Sequence, residues 1–132
     1  MRLGAVRLFV TDLGRATAFY EERLGLPVRV REERSGFVVL DGGAAPIVLE
    51  TVPDSAPAED RELVGRFTGI SFEVDDLGAT HERLVAEGVA FASAPERQDW
   101  GGRLATFADP DGNRLQLVEM PRRGGPPAGL PA

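Results

Sequence analysis

The chain has 132 residues, a length that fits one domain able to bury roughly two-thirds of its unfolded surface. It carries 21 acidic and 15 basic side chains, and the resulting formal net charge of −6 argues against a nucleic-acid partner. It has no cysteine, so disulfides, thiolate nucleophiles and zinc–thiolate sites are excluded.

The N-terminal segment does not have the features of a secretion signal. Arg2 and Arg7 place charges where a signal peptide needs an uninterrupted apolar run. No apolar stretch of the sequence approaches the length of a membrane span. We therefore expect a cytoplasmic protein that contacts no membrane.

The first third of the chain predicts a strand followed by a capped helix. Residues 3–11 alternate apolar and polar side chains, Asp12 is a typical N-cap, and Gly25 is a typical helix terminator. Between these caps, residues 13–24 place apolar side chains at helical spacing: Leu13, Ala16, Phe19, Tyr20 and Leu24. Three short strands separated by glycine-containing turns are predicted next, near residues 27–33, 36–41 and 45–51.

The same unit then recurs. The segments VTDLG at 10–14 and VDDLG at 74–78 each close an alternating strand and open a helix. The second copy predicts a strand at 68–75 and a helix at 77–87 that ends at Gly88. Its remaining strands are predicted near residues 89–93, 103–108 and 113–119. The sequence therefore predicts the element order β-α-β-β-β twice.

Two segments outside these repeats are rich in proline. Residues 53–66 begin with an acidic stretch that has few large apolar side chains, which is typical of a linker. Residues 121–132 have no amphipathic pattern, and we expect them to form a flexible C-terminal tail. We therefore predict a single domain at 1–120, composed of module one at 1–52, the linker, and module two at 67–120.

Residues 109–113, with the sequence DPDGN, form the most informative motif of the chain. Pro110 presets φ for a tight turn, Gly112 permits positive φ, and the alternating strand RLQLVE follows at once. Together with the helix end FYEERLGL at 19–26, this motif resembles the vicinal oxygen chelate superfamily, which contains glyoxalases, extradiol dioxygenases, fosfomycin-modifying enzymes and bleomycin-resistance proteins. The resemblance implies an α+β fold in which two βαβββ modules form a curved eight-stranded mixed sheet, with a concave ligand cup and with helices on the outer face.

Strand alternation sorts the side chains of the first strand of each module into two faces. The uniformly apolar rows, which we expect to pack under the helices, are Val6, Leu8 and Val10, and Ile70, Phe72 and Val74. The opposite rows contain Arg7 and Phe9 in module one, and Ser71 and Glu73 in module two. Mixed polarity of this kind is typical of a ligand cavity, although side chains that simply face water produce the same pattern.

The resemblance also implies where a metal would bind, with one ligand from each of four strands. Matching the motifs places these positions at Ala5, Glu50, Gly69 and Gln116. Ala5 and Gly69 have no donor atom, and Gln116 offers only a weak amide oxygen. His81 is the only histidine, and we expect it at the surface of the second predicted helix. We therefore expect no bound metal and no other cofactor.

Without a metal site, the chain most resembles the bleomycin-resistance type, whose members bind a drug in a groove built by two subunits. The stretch QDWGGR at 98–103 resembles the Trp-Gly pattern of that group, and Trp100 is the only tryptophan. Trp100 either stacks on a planar ligand or plugs the edge of the sheet. No catalytic residue is expected, and the predicted ligand-binding residues are Arg7, Phe9, Phe37, Glu50, Ser71, Glu73, Trp100, Arg114 and Gln116.

The leading prediction is a homodimer that sequesters a medium-sized, partly aromatic or cationic natural product and so confers resistance to it. The alternative is a metal-independent lyase or isomerase in which Glu50 or Glu73 serves as general base, provided that the two carboxyl groups are buried together. A module that only docks to another protein is a third possibility. Recovery of the ligand unchanged after incubation distinguishes binding from catalysis.

Overall fold

The computed structural model describes residues 1–122, so residues 123–132 of the predicted tail lie outside the described part. Within it, the first half of the chain contains β1 (Val6–Val10), α1 (Leu13–Ala18), β2 (Val28–Glu32), β3 (Phe37–Asp41) and β4 (Pro46–Thr51). The following elements are α2 (Ala58–Arg61), β5 (Phe67–Glu73), α3 (Leu77–Ala86), β6 (Ala90–Phe91), β7 (Glu96–Arg97), β8 (Arg103–Ala108) and β9 (Arg114–Glu119). This order confirms the predicted α+β class and the repeated βαβββ module.

The strands belong to two hydrogen-bonded sheets, whereas one eight-stranded sheet was predicted. The first sheet has the order β1-β4-β3-β2, and the second has the order β5-β9-β8-β6 with β7 also paired to β8. Strands β6 and β7 occupy one edge, where a single strand was expected near 89–93. Residues 92–95 interrupt this edge, and Pro95 has no N–H to donate to a ladder. The ninth strand therefore results from a proline-containing interruption of an edge strand.

The described chain divides into two compact units by its internal contacts. The first unit consists of Met1–Thr68 and Asp109–Asn113, and the second consists of Gly69–Ala108 and the described residues from Arg114 onward. The predicted DPDGN turn is therefore part of the first unit, although the sequence places it between two strands of the second. Its Gly112 has φ of 81°, the left-handed conformation that the turn motif predicts.

Buried hydrogen bonds fix this turn within the first unit. The hydroxyl of Tyr20 donates to Oδ2 of Asp109 at 2.7 Å, and both residues are buried. Nδ2 of Asn113 donates to the carbonyl oxygen of Phe9 at 2.8 Å, and Oδ1 of Asn113 accepts from the backbone N–H of Gly65 at 2.8 Å. The turn thus satisfies backbone groups of β1 and of the segment that precedes β5.

One face of the first sheet forms the core of the first unit. Strand β1 is parallel to β4 and β3 is antiparallel to β4, so the alternating side chains of the three strands come into register. The buried aliphatic side chains are Leu8, Val10, Val38, Leu40, Ile47 and Leu49. Helix α1 packs on β3 and β4 and contributes Ala16, and the helical turn that directly follows it contributes Tyr20. Both residues belong to the predicted helical stripe. Of the predicted apolar row of β1, Leu8 and Val10 are buried and Val6 is half-buried.

The helices within residues 1–122 are short, and none is long and apolar enough to span a membrane. Asp12 caps α1 as predicted, because its Oδ1 accepts from the N–H of Arg15 at 3.0 Å, and Gly25 has φ of 73°. The α-helical part is shorter than predicted, since Phe19–Arg23 form a π-helical turn. In this wider turn the N–H of Leu24 donates to the carbonyl oxygen of Phe19 at 3.3 Å, five residues earlier.

The second unit repeats the same local devices. Asp76 caps α3 by accepting from the N–H of Ala79 at 3.0 Å, and Gly88 follows the helix with φ of 90°. Helix α3 packs on β8 and β9, and the buried apolar side chains include Leu77, Leu84, Phe107, Leu115 and Leu117. Strand β5 and the residue after it alternate as predicted, with Ile70, Phe72 and Val74 half-buried and Gly69, Ser71 and Glu73 exposed.

Candidate ligand-binding site

The face of the first sheet opposite the core brings together four of the predicted ligand-binding residues. The strand register places Phe9 of β1 beside Glu50 of β4, and Glu50 beside Phe37 of β3. Arg7 lies two residues before Phe9 and therefore on the same face. The three residues of the register row are half-buried, and Arg7 is exposed. We call this set of four residues the polar–aromatic face.

Arg7 and Glu50 form a bidentate ion pair on this face. Nε of Arg7 donates to Oε1 of Glu50 at 2.8 Å, and Nη2 donates to Oε2 at 2.7 Å. Both contacts stabilise the charged guanidinium, so Glu50 raises the pKa of Arg7 above its ordinary value. Cζ of Arg7 also lies 5.2 Å from the centroid of the Phe9 ring, within cation–π range. The charges of Arg7 and Glu50 therefore neutralise each other, and the guanidinium of the pair lies over the Phe9 ring.

A cavity of about 230 Å³ lies beside this ion pair, entirely within the first unit. Strands β1 and β4 contribute Arg7, Phe9, Glu50 and Thr51 to its lining. Val52, which follows β4, and three residues of the linker complete it: Pro53, Ala56 and Asp60. Phe37 belongs to the same sheet face but does not line the cavity. Sequence reasoning did not single out Thr51, the last residue of the strand predicted at 45–51. It missed Asp60 because the acidic, proline-rich composition of residues 53–66 predicted only a connecting loop.

The linker is ordered where it forms the cavity wall. The N–H of Ala56 donates to the carbonyl oxygen of Pro53 at 2.9 Å, and Nε of Arg61 donates to the carbonyl oxygen of Ala56 at 3.1 Å. Helix α2 then begins directly after Pro57, whose fixed φ suits a helix start. Hydrogen-bonded turns therefore hold the segment that carries Asp60.

A second cavity, of about 240 Å³, lies along α1 and its π-helical turn. Its lining contains none of the predicted ligand-binding residues and consists of Arg15, Ala18, Phe19, Glu22, Arg23 and Pro110. Nη2 of Arg15 lies 3.4 Å from Oδ1 of Asp111 and so contributes to holding the DPDGN turn. The cavity beside the polar–aromatic face is therefore the better candidate for a ligand site.

The residues at the four positions of the implied metal site do not fit a divalent ion. Both carboxylate oxygens of Glu50 accept hydrogen bonds from Arg7, and Ala5 and Gly69 have no donor atom. Nε2 of Gln116 donates to Oγ1 of Thr106 at 3.2 Å in a cross-strand pair. Residues 1–122 contain no group of three or more histidine, cysteine, aspartate or glutamate side chains arranged to hold a metal.

His81 is less exposed than the sequence predicted. Its ring centroid lies 4.6 Å from that of Phe91, with the two rings nearly perpendicular, and the residue is half-buried. His81 lies on the second predicted helix as expected, and it is only partly exposed because strand β6 places Phe91 against this part of α3. Edge-to-face packing accounts for the ring without any role as a ligand.

The predicted residues of the second unit are distributed over β5, β9 and one hairpin loop. Ser71 and Glu73 are exposed on β5, Arg114 is exposed at the start of β9, and Gln116 is half-buried two residues later. The joint burial that would make Glu50 or Glu73 a general base is not observed, since Glu73 is exposed and Glu50 is paired with Arg7. The part of Ser71, Glu73, Arg114 and Gln116 in ligand binding remains a prediction.

Trp100 lies in the loop between β7 and β8. The N–H of Gln98 donates to the carbonyl oxygen of Gly102 at 2.8 Å, which closes the loop. The indole covers the backbone of Gly102 so closely that a Cβ at that position would lie 1.9 Å from Cζ3 of Trp100. Trp100 itself is half-buried. One part of its surface therefore packs against its own hairpin, as a structural plug would, while another part stays accessible.

Comparison with known proteins identifies the family of the chain. Residues 2–117 match the family model described as the Glyoxalase/Bleomycin resistance protein/Dioxygenase superfamily. The chain belongs to this superfamily. A relative in Bacillus subtilis (strain 168), the uncharacterized protein YraH, is 32% identical over 127 residues, which cover 91% of this chain and 99% of YraH.

Two further similar proteins have names that mention antibiotics. A bleomycin resistance protein from Klebsiella pneumoniae is 29% identical over 115 residues, with 82% of this chain and 84% of that protein covered. The solved structure of TnmS3, an antibiotic binding protein from Streptomyces sp. CB03234, has a TM-score of 0.71 at 28% identity, covering 91% of this chain and 96% of that chain. A lactoylglutathione lyase from Agrobacterium tumefaciens shares the fold, with a TM-score of 0.69 at 20% identity and coverage of 89% and 92%.

Proposed function

We propose that this superfamily member is a metal-independent binding protein that sequesters an antibiotic or similar natural product in the cytoplasm. The observation that carries the proposal is the bidentate Arg7–Glu50 pair beside an open cavity. Glu50 is the only residue with a carboxylate at the four positions of the implied metal site, and both of its carboxylate oxygens accept hydrogen bonds from Arg7. The side chains that remain can bind and orient a molecule but supply no Lewis acid. The similarity to antibiotic-associated relatives supports the same function.

The cavity has the mixture of groups that ligand sites use. Phe9 offers an apolar ring, while Arg7, Glu50 and Thr51 offer donors and acceptors that fix orientation. Its volume of about 230 Å³ is below the roughly 300–1,000 Å³ of pockets that enclose drug-sized ligands. It therefore accommodates part of a medium-sized ligand. We propose that Phe37, Ser71, Glu73, Trp100, Arg114 and Gln116 also contribute contacts.

The working form that we propose is a homodimer. One of the two outer strands of the first sheet, β2, presents Val30 with 42% of its surface exposed, and Met120 just after β9 is 39% exposed. Open sheet edges and exposed apolar side chains are commonly covered by a second subunit. Dimerisation would protect these groups from non-specific association.

Binding and recovery of ligand test the function directly. The protein is titrated calorimetrically with bleomycin and with a panel of aromatic natural products, and each ligand is then recovered and analysed by mass spectrometry. We expect at least one ligand to bind and to return unchanged. Phe9→Ala should weaken that binding, whereas Phe67→Ala should not, since Phe67 is exposed and does not line the cavity. Conversion of a ligand to product would overturn the sequestration mechanism.

A further inference from the structure

The charged groups that line the candidate cavity do not balance. The lining contains one guanidinium, from Arg7, and two carboxylates, from Glu50 and Asp60. Arg7 and Glu50 neutralise each other through their bidentate contact. No described residue within hydrogen-bond or ion-pair distance partners the carboxylate of Asp60. The cavity therefore has one unmatched negative charge on its linker side.

The local structure leaves the carboxylate of Asp60 without a cationic partner among the described residues. Its backbone N–H donates to the carbonyl oxygen of Pro57 at 3.0 Å, and its carbonyl oxygen accepts from the N–H of Leu63 at 3.0 Å. The adjacent cation, Arg61, directs its Nε to the carbonyl oxygen of Ala56 at 3.1 Å. Both backbone polar groups of Asp60 are thus hydrogen-bonded. The neighbouring guanidinium of Arg61 binds the carbonyl oxygen of Ala56 and not the carboxylate of Asp60.

The same lining contains one aromatic ring, that of Phe9. The Phe9 ring already accepts the Arg7 guanidinium at 5.2 Å, and its remaining surface is available to the cavity lining. An aromatic ring and an unmatched carboxylate in the same lining suit a molecule with a flat apolar body and a single cationic group. A carboxylate-bearing ligand would instead face a net negative lining.

We infer, on the basis of the proposed function, that Asp60 is a specificity-determining residue that selects ligands carrying a protonated amine next to an aromatic ring. The ammonium group pairs with the Asp60 carboxylate, and the ring packs on Phe9. Neither contact requires the Arg7–Glu50 pair to open. Because Asp60 is exposed, its preference for cations is modest and weakens as ionic strength rises.

Three probes with the same ring test this selectivity: 1-naphthylmethylamine, 1-naphthylmethanol and 1-naphthoate, which are cationic, neutral and anionic at neutral pH. Each is titrated into the full-length protein, and amide resonances in residues 51–60 report affinity and location. We expect the amine to bind about two- to fivefold more tightly than the alcohol, the range for one exposed ion pair, and the naphthoate to bind most weakly. Asp60→Asn, which preserves side-chain size, should bring the amine-to-alcohol ratio close to one.

Asp54→Asn is the matched control, because Asp54 is an exposed carboxylate of the same linker that does not line the cavity. It should keep the wild-type preference. Equal binding of amine and alcohol to the wild-type protein, or an unchanged preference in Asp60→Asn, would overturn the role of Asp60 while leaving the cavity as a ligand site. If no probe shifts these amides at about 10 mM, well above a millimolar dissociation constant, both the selectivity and the proposed site are overturned.

Discussion

The stability of the protein in alkali should report on one buried side chain. Tyr20 is the only tyrosine, its residue surface is 0% exposed, and its hydroxyl donates to Asp109 at 2.7 Å. Burial, together with the nearby negative charge of Asp109, raises the pKa of Tyr20 far above its ordinary value of about 10. The chain contains no lysine and no cysteine, so no other side chain has an ordinary pKa near 10.

The direction of the effect follows from proton linkage. Above about pH 10 the unfolded chain loses the tyrosine proton while the folded protein keeps it, so the free energy of unfolding falls as pH rises. The stabilisation is complete below the unfolded pKa and is lost progressively above it. One proton contributes about 1.4 kcal/mol per pH unit, which predicts a loss of about 1.4 kcal/mol at pH 11 relative to pH 8.

Urea unfolding at a series of pH values, followed by circular dichroism, measures this loss, and Tyr20→Phe is the matched variant. At neutral pH we expect Tyr20→Phe to be less stable by about 1.5–3 kcal/mol, the range for a hydrogen bond to a charged group, because the carboxylate of Asp109 loses the hydrogen bond from the Tyr20 hydroxyl. Above pH 10 its stability should change little. An equal alkaline loss in both proteins, or tyrosinate absorbance in the folded protein near pH 10, would refute the buried Tyr20–Asp109 contact.

Three further predictions concern metal content, assembly and Trp100. Elemental analysis of extensively dialysed protein should find no transition metal at stoichiometric occupancy, since the donor set around Glu50 does not fit one; one tightly held ion per chain would contradict this. Light scattering at micromolar concentration should give the mass of a dimer, and a monomeric mass would be evidence against the homodimer. Trp100→Ala should lower the melting temperature because the indole packs on Gly102. A loss of about 2–4 kcal/mol in ligand binding by a folded, equally stable variant would instead make Trp100 a ligand anchor.

Much of the candidate site could be anticipated from strand periodicity. Alternation placed Arg7 and Phe9 on the face away from the helix, and the register with β4 and β3 adds Glu50 and Phe37 to it. The ion pair between Arg7 and Glu50 was not anticipated, because it joins residues 43 positions apart. Asp60 was missed for a related reason, since a short acidic linker has no periodic pattern that indicates which surface it will cover.

Local signals determined the elements of this protein, and tertiary contacts decided where some of them lie. Asp12 and Asp76 cap helices, and Gly25 and Gly88 end them, because these hydrogen bonds and positive φ values depend on a few neighbouring residues. The DPDGN turn was likewise evident from its sequence. Its place in the first unit depends on contacts such as that between Thr11 and Asp111, which are 100 residues apart. Such contacts form only when distant segments pack together, so only the folded chain decides them.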